Sequence, residues 1–213
     1  MKIGYNYVVI EGNIGAGKTT LAGRIADQFN ARLILEHFAD NPFLPKFYKE
    51  PEKYSFALEL SFLASRYKQL QEELVPQDLF KAFTVADYYF MKSLVFAAST
   101  LTGDEYNLYR QIFYIIYGSL PKPDLYVYLH LNPDRLVQNI EKRGRNYEKS
   151  ITKGYLQKIQ DSYFSFFKQN PENKYLVIDV NEIDFVENEN HYTKIIDTIF
   201  YNCYPVGLNK VIL

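Results

Sequence analysis

The 213-residue sequence contains a single cysteine, Cys203, no tryptophan and no long apolar run. One cysteine excludes an internal disulfide and a cysteine-rich metal cluster, so we expect Cys203 to be a small buried side chain. The lack of a signal-type or membrane-spanning run predicts a cytoplasmic protein with no membrane partner. Neither charge is in marked excess, since the net charge is −1, and this argues against sequence-independent nucleic-acid binding.

The sequence instead alternates short β-branched and aromatic runs with long helical patterns. Strands are predicted over Tyr5–Glu11, Arg32–Glu36, Phe83–Ala86, Leu125–Leu131 and Tyr175–Val180. Helices are predicted over Thr19–Phe29, Tyr54–Leu74, Tyr88–Thr100, Asp104–Tyr117, Asp134–Arg143, Ile151–Gln169 and Tyr192–Tyr201. Because no Gly/Ser/Pro-rich linker divides the chain, we expect a single domain over residues 1–213. Its predicted fold is a three-layer α/β/α arrangement around five parallel strands.

The loop after the first predicted strand fits the pattern G-x-x-x-x-G-K-[ST], and a helix is predicted directly after it. Glycines let backbone N–H groups turn toward phosphate oxygens, and the helix N-terminus adds a favourable dipole. Lys18 is expected to reach the β- and γ-phosphates, and the Thr19 hydroxyl to bind Mg²⁺. The pattern predicts ATP or GTP binding by Gly12, Asn13, Ile14, Gly15, Ala16, Gly17, Lys18, Thr19 and Thr20.

Three further features each admit two physical interpretations. Glu36 ends the second strand at the edge where parallel sheets bind ligands, and it is either a proton acceptor or a capping or surface residue. Glu59 and Arg66 lie two helical turns apart on one face, which is either a pocket wall or a solvated face with ion pairs. Arg143 and Arg145 flank Gly144, and they either neutralise a γ-phosphoryl group or complement a helix dipole.

In this order the motifs resemble those of the deoxynucleoside kinases, over almost the whole chain. The carriers are EGNIGAGKTT at 11–20, Glu36, DNPFLPKFY at 40–48, FALELSFLASRYKQL at 56–70 and KRGRNYE at 142–148. The resemblance implies a P-loop kinase fold that uses ATP and Mg²⁺ to phosphorylate the 5′-OH of a deoxynucleoside. It also implies a homodimer formed through the helices at Tyr54–Leu74 and Tyr88–Thr100. The DNPFLPKFY and FLASRY segments favour a purine.

The resemblance also implies roles for individual side chains. Glu36 is the implied general base, and the implied charge stabilisers are Lys18, Arg143 and Arg145. The implied substrate-binding residues are Tyr48, Glu59, Arg66, Lys92, Phe96 and Glu148. Of these, Tyr48 and Glu148 would hold the sugar 3′-OH. Glu59 stands where the family carries Gln, and Asn139 stands where it often places a further lid Arg.

The resemblance breaks at the third strand, which the family ends with Asp-Arg-Ser or Glu-Arg-Ser before a later base-binding Asp. One alignment puts Asp87 at the acid that helps to hold Mg²⁺, Tyr88 at the Arg and Ser93 at the later Asp. The other puts Asp87 at the Arg and Lys92 at the later Asp, opposite Glu59. Both alignments lack the Arg, whose loss would slow phosphoryl transfer.

Three functions therefore stay open at the level of sequence. The first is an active deoxynucleoside kinase, with Thr19 and Asp87 as the metal-binding residues. The second is an ATP-binding, catalytically weakened relative with a regulatory role. The third is a kinase for another small hydroxylated acceptor, such as one carrying a guanine-like heterocycle that donates hydrogen bonds to Glu59.

Overall fold

The computed structural model describes residues 4–37, 41–74, 80–145, 148 and 151–213. The first half comprises β1 (Tyr7–Gly12), α1 (Lys18–Phe29), β2 (Arg32–Ile34), α2 (Leu44–Lys49), α3 (Pro51–Leu74), β3 (Thr84–Ala86) and α4 (Met91–Thr100). The second half comprises α5 (Gly103–Tyr117), β4 (Leu125–His130), α6 (Pro133–Arg143), α7 (Lys153–Gln169), β5 (Lys174–Asp179), α8 (Glu189–Phe200) and β6 (Gly207–Ile212). Asp40, Asn146 and Tyr147 of the sequence motifs lie outside the described residues.

The strands form one parallel sheet in the order β2-β3-β1-β4-β5-β6. The predicted α/β class and parallel sheet are confirmed, but the predicted number of strands is one short. The additional strand, β6, lies at the edge beside β5 and alternates between half-buried and exposed residues. Its polar Asn209 and Lys210 interrupt the apolar pattern, and this hid the strand in the sequence.

Alternate residues of the central strands pack on opposite faces of the sheet. In β1, Val8 and Ile10 join one apolar cluster, while Tyr7 and Val9 join the other. The first cluster includes buried residues of α1, α6 and α8, and the second includes those of α3, α4, α5 and α7. This two-sided burial explains the near-continuous apolar runs of the inner strands.

The helix α4 begins three residues later than predicted, and it lies inside the chain. Six of its ten residues are buried, and it packs against α3, α5 and α7. The homodimer surface that was expected to include this helix stays a prediction. Cys203 is exposed, not buried as expected. No helix among the described residues is long and apolar enough to span a membrane.

Candidate active site

The phosphate-binding loop joins β1 to α1, and its glycines adopt backbone angles that other residues rarely take. The φ angle is 84° at Gly15 and 83° at Gly17, in the left-handed region that favours glycine. A Cβ atom on Gly17 would lie 2.7 Å from Cζ of Phe185, so the aromatic ring packs this closely only because residue 17 has no side chain. The helix α1 begins at Lys18, which places the free N–H groups of its first turn beside the loop.

A cleft along this loop is the candidate donor site. Of the predicted nucleotide-binding residues, its lining includes Gly15, Ala16, Gly17, Lys18, Thr19 and Thr20. Ile14 lines a second pocket on the other side of Lys18 and Thr19, which is described below, whereas Gly12 and Asn13 are buried and line neither cavity. The rest of the lining includes residues that were not predicted to bind nucleotide: Arg135, Asn139, Lys142, Asp184, Phe185 and Glu187. Residues 184–187 follow the carboxyl end of β5, at the ligand-binding edge of a parallel sheet. This position in the sequence could have identified them as candidates for nucleotide binding.

Lys18 and Thr19 connect the loop with its surroundings. The Lys18 ammonium donates to the carbonyl of Asn13 at 2.8 Å, and burial lowers the pKa of Lys18 to about 8. The Thr19 hydroxyl donates to Oδ2 of Asp87 at 2.5 Å, and Oδ1 of Asp87 accepts the Glu36 backbone N–H at 2.8 Å. A hydroxyl and a carboxylate are hard oxygen ligands of the kind Mg²⁺ takes together with phosphate oxygens. Thr19 and Asp87 thus fit the predicted metal-binding role.

Two cations hold the carboxylate of Glu36, just past the end of β2. Arg66 donates to Oε1 from Nε at 2.9 Å and from Nη2 at 2.7 Å, and the Lys92 ammonium donates to Oε2. The side chain of Glu36 is 9% exposed. Burial by itself raises the pKa of Glu36, but the charges of Lys92 and Arg66 outweigh it and lower the pKa to about 2. Glu36 is thus an ionised carboxylate inside a pocket and not a capping or surface residue.

The contacts of α4 distinguish between the two alignments of the third strand. Ser93 accepts a hydrogen bond from Nη1 of Arg66 at 2.9 Å, and Asp87 contacts the phosphate-binding loop; both fit the first alignment. The second alignment placed Lys92 opposite Glu59, but the Lys92 ammonium pairs with Glu36. Tyr88, at the Arg position, is fully buried, and its hydroxyl has no hydrogen-bond partner among the described residues.

Glu59 is buried in the same pocket and is only partly satisfied. Its Oε1 accepts the Thr100 hydroxyl at 2.9 Å, whereas its buried Oε2 has no partner in the described part of the chain. Burial raises the pKa of Glu59 to about 7, although the Arg66 charge and the Thr100 hydrogen bond oppose the shift. Glu59 and Arg66 are 2% and 4% exposed, so the solvated-face interpretation of this pair is wrong.

Arg143, at the end of α6, and Arg145, just beyond it, converge on Glu148. Arg143 donates to Oε2 from Nε at 3.1 Å and to Oε1 from Nη2 at 2.5 Å, and Arg145 lies 3.5 Å from Oε1. Asn139, at the family's additional Arg position, donates to the Gly15 carbonyl at 2.9 Å. The guanidinium groups therefore line the second pocket next to the phosphate-binding loop, where they can neutralise a phosphoryl group.

This second pocket brings together the predicted catalytic and acceptor residues. Its lining includes Glu36, Tyr48, Glu59, Arg66, Lys92, Phe96, Arg143, Arg145 and Glu148. It opens onto Lys18, Thr19 and Asp87 at the loop. Its apolar wall, which the sequence reasoning missed, includes Leu44, Phe47, Leu58, Phe62 and Tyr155. Leu58 and Phe62 lie within one turn of Glu59, and this was the signal for them.

The family profile for deoxynucleoside kinases matches residues 8–203. The chain belongs to the deoxynucleoside kinase family. It is therefore a phosphotransferase that acts on deoxynucleosides, and the enzyme interpretation of the sequence is confirmed.

Individual relatives of this kinase differ in their named substrate. It is 39% identical over 194 residues to the deoxyguanosine kinase of Bacillus subtilis (strain 168), a match covering 89% of this chain and 93% of that one. It is 33% identical over 189 residues to the deoxyadenosine kinase of Dictyostelium discoideum, covering 86% and 75%. The structure of M. mycoides deoxyadenosine kinase with bound dATP has a TM-score of 0.77 and 23% identity, covering 91% and 98%. At that identity, the structural likeness shows the fold alone.

Proposed function

We propose that this kinase transfers the γ-phosphoryl group of ATP to the 5′-OH of a purine deoxynucleoside and prefers deoxyguanosine. The observation that carries the base preference is Oε2 of Glu59, a buried acceptor without a partner among the described residues, in the pocket that also holds Glu36. The 39% identity to a deoxyguanosine kinase supports the same choice.

The argument for guanine rests on hydrogen-bond types. A ligand that donates hydrogen bonds to Glu59 favours its ionised form, which only accepts hydrogen bonds, and guanine presents adjacent donors in its ring N–H and exocyclic amine. Adenine and cytosine present an acceptor nitrogen beside their amine, and that nitrogen would face the carboxylate. An unpaired buried polar group costs about 1–3 kcal/mol, or roughly ten- to a hundredfold in discrimination.

The sugar and the reacting hydroxyl would lie between the base and the phosphate-binding loop. Tyr48 and Glu148 line this part of the pocket, and we assign them the 3′-OH. Glu148 already accepts hydrogen bonds from Arg143 and Arg145, so a sugar hydroxyl would take the place of one of these donors.

The transfer itself follows from the charges at the loop. The 5′ oxygen bonds to the γ-phosphorus while the bond to the departing ADP oxygen breaks, and the 5′-OH proton passes to Glu36. Lys18, Arg143 and Arg145 stabilise the phosphoryl charge. Thr19 and Asp87 would hold Mg²⁺, which neutralises phosphate oxygens when bound.

The test is kcat/KM for deoxyguanosine, deoxyadenosine and deoxycytidine with wild type and Glu59→Gln. We expect wild type to prefer deoxyguanosine, and the variant to lower the deoxyguanosine-to-deoxyadenosine ratio by roughly ten- to a hundredfold. Glu72→Gln, on the exposed face of the same helix, is the matched control and should leave the ratio unchanged. Unchanged ratios in Glu59→Gln would rule out base readout by Glu59. Absence of any nucleoside turnover by wild type would overturn the whole proposal.

A further inference from the structure

Lys92 is a buried cation to which the proposed reaction gives no role. It lies in the first turn of α4, and its side chain is 9% exposed. Its ammonium donates to Oε2 of Glu36, whose Oε1 already accepts both Arg66 hydrogen bonds. Lys92 is therefore a second cationic partner of Glu36, in a site that excludes most water.

Lys92 shares this pocket with residues of the phosphate-binding loop. Lys92 lines the acceptor pocket together with Lys18 and Thr19. An anionic group bound in this pocket can therefore meet both ammonium groups.

Both ammonium groups also have hydrogen-bond donors to spare. A lysine ammonium carries three N–H donors. Over the residues that the structure describes, Lys92 donates only to Glu36, and Lys18 donates only to the Asn13 carbonyl. The remaining donors are therefore free for a ligand that enters the pocket.

The nearby carboxylate of Glu11 does not take up these donors. Glu11 is fully buried at the end of β1. Its Oε1 accepts the Tyr89 backbone N–H at 2.9 Å and its Oε2 accepts the Tyr163 hydroxyl at 2.8 Å. The charges of Lys92 and Lys18 act on Glu11 without a hydrogen bond, so Glu11 does not occupy their N–H groups.

We propose that Lys92 is a catalytic residue that bridges Glu36 and the transferring phosphoryl group, opposite Lys18. This role rests on the phosphoryl transfer proposed above. As the 5′ oxygen bonds to the γ-phosphorus and the bond to the ADP oxygen breaks, the 5′-OH proton passes to Glu36. Lys92 keeps its three protons throughout and donates hydrogen bonds to Glu36 and to a phosphoryl oxygen.

This role predicts a loss in kcat and not in substrate binding, because the charge that Lys92 meets develops during transfer. Removal of one such donor typically lowers kcat about 10²- to 10³-fold. It also predicts a changed pH profile. With Lys92 gone, Arg66 alone opposes the burial of Glu36, so the pKa of Glu36 rises above its value of about 2. The acid limb of kcat/KM then moves to higher pH.

The experiment compares Lys92→Met, which keeps the length without the charge, with Lys92→Arg, which keeps the charge. For deoxyguanosine and Mg-ATP we expect Lys92→Met to lose about 10²- to 10³-fold in kcat, with KM changed less than about fivefold, and its acid limb to rise. Lys92→Arg should recover to within about tenfold of wild type. Lys122→Met is the control, since that lysine contacts the carbonyl of Tyr117 outside the pocket. A kcat for Lys92→Met within about threefold of wild type, with an unmoved acid limb, would overturn the role.

Further measurements separate the remaining outcomes. If Lys92→Met does not fold by circular dichroism, Lys92→Ala with added ethylamine replaces it. Saturable recovery of kcat by the amine supports the role, and a folded variant that the amine does not activate contradicts it. If wild type phosphorylates no nucleoside, the proposed function fails by itself. Lys92 is then judged by ¹³C NMR titration of Glu36, where an unchanged pKa in Lys92→Met would contradict its coupling to Glu36.

Discussion

Glu36 and Glu59 lie in one pocket, yet their surroundings push their pKa values in opposite directions. Two cations lower the pKa of Glu36 to about 2, whereas burial raises that of Glu59 to about 7. Carboxylates whose pKa values are driven apart are typical of sites in which each has a different task. Here Glu36, the proposed proton acceptor, remains ionised, and Glu59 can gain or lose a proton near neutral pH.

We predict that Glu36→Gln keeps Mg-ATP affinity within a few-fold but lowers kcat about 10²- to 10⁴-fold, because an amide cannot accept the 5′-OH proton. Single-turnover phosphorylation under saturating substrate measures the chemical step directly. Glu72→Gln again serves as the exposed control. If Glu36→Gln retained the wild-type rate, the proton would have to pass elsewhere, and Asp87 would be the next candidate.

At the residue scale, the sequence predicted which side chains share the pocket but not all of their partners. Glu36, Tyr48, Glu59 and Glu148 line the pocket together as expected. The partner of Lys92 was wrong in the alignment that paired it with Glu59. A lysine has a flexible four-carbon stem, so its position in the sequence did not determine which carboxylate its ammonium reaches.

At the scale of elements, the conformation of the phosphate-binding loop depends on glycines whose φ angles and close contacts disfavour a side chain. We predict that Mg-ATP raises the melting temperature of wild type, and that Lys18→Ala abolishes this rise. A ligand at about 100 times its Kd stabilises the native state by about 2.7 kcal/mol. Equal protection of both proteins in differential scanning calorimetry would show that the nucleotide binds elsewhere.

A second change in the same loop should have a similar effect for a different reason. Gly17→Ala forces a left-handed residue to carry a Cβ atom 2.7 Å from the ring of Phe185, so we expect it to lose Mg-ATP protection as well. Gly23→Ala in α1 is the matched control, because no atom lies within 4 Å of its added Cβ. Retained protection in Gly17→Ala would contradict the close packing of the loop.

Elements with strong patterns were predicted, and the misses have physical causes. Strand β1 and helix α1 were placed to within a few residues because β1 is a nearly continuous apolar run and α1 has apolar residues at helical spacing. The prediction started α4 too early because Tyr88, Tyr89 and Phe90 fit its helical pattern of apolar residues. In the structure the Tyr89 N–H instead donates to Glu11, and the helix begins at Met91. The short helix α2 spans only six residues, too few to establish a period.

At the scale of the whole molecule, the raised pKa of Glu59 makes stability depend on pH. Its native pKa of about 7 lies above the ordinary value of 4.5, so the native state holds a proton that the unfolded chain releases. Stability is thus lost as the pH rises from 4.5 to 7, by up to about 3 kcal/mol at 1.36 kcal/mol per pKa unit.

We therefore predict that Glu59→Gln unfolds at a higher denaturant concentration than wild type above pH 7. The difference should disappear below pH 4.5, where Glu59 is protonated in both states. Urea titrations at several pH values measure it, with Glu72→Gln as the exposed control. A stability difference that is the same at every pH would contradict a buried, titrating Glu59.

The homodimer and its surface stay a prediction. Leu60 on α3 and Leu108 and Ile115 on α5 are exposed apolar side chains. These two helices are neighbours in the fold, so this is an apolar face that a second copy of the chain could cover.

The hydrogen bond from Asn139 to the Gly15 carbonyl has a consequence for the arginines beyond it. It fastens α6 to the phosphate-binding loop, and Arg143 is the last residue of that helix. Arg145 follows Gly144, whose φ of 72° lies in the left-handed region that residues with a side chain rarely adopt. The two guanidinium groups are therefore positioned differently. The position of Arg143 depends on the contact between α6 and the loop, whereas the position of Arg145 also depends on the backbone conformation of Gly144. A substitution of Gly144 would therefore displace Arg145 more than Arg143, whereas a substitution of Asn139 would displace both.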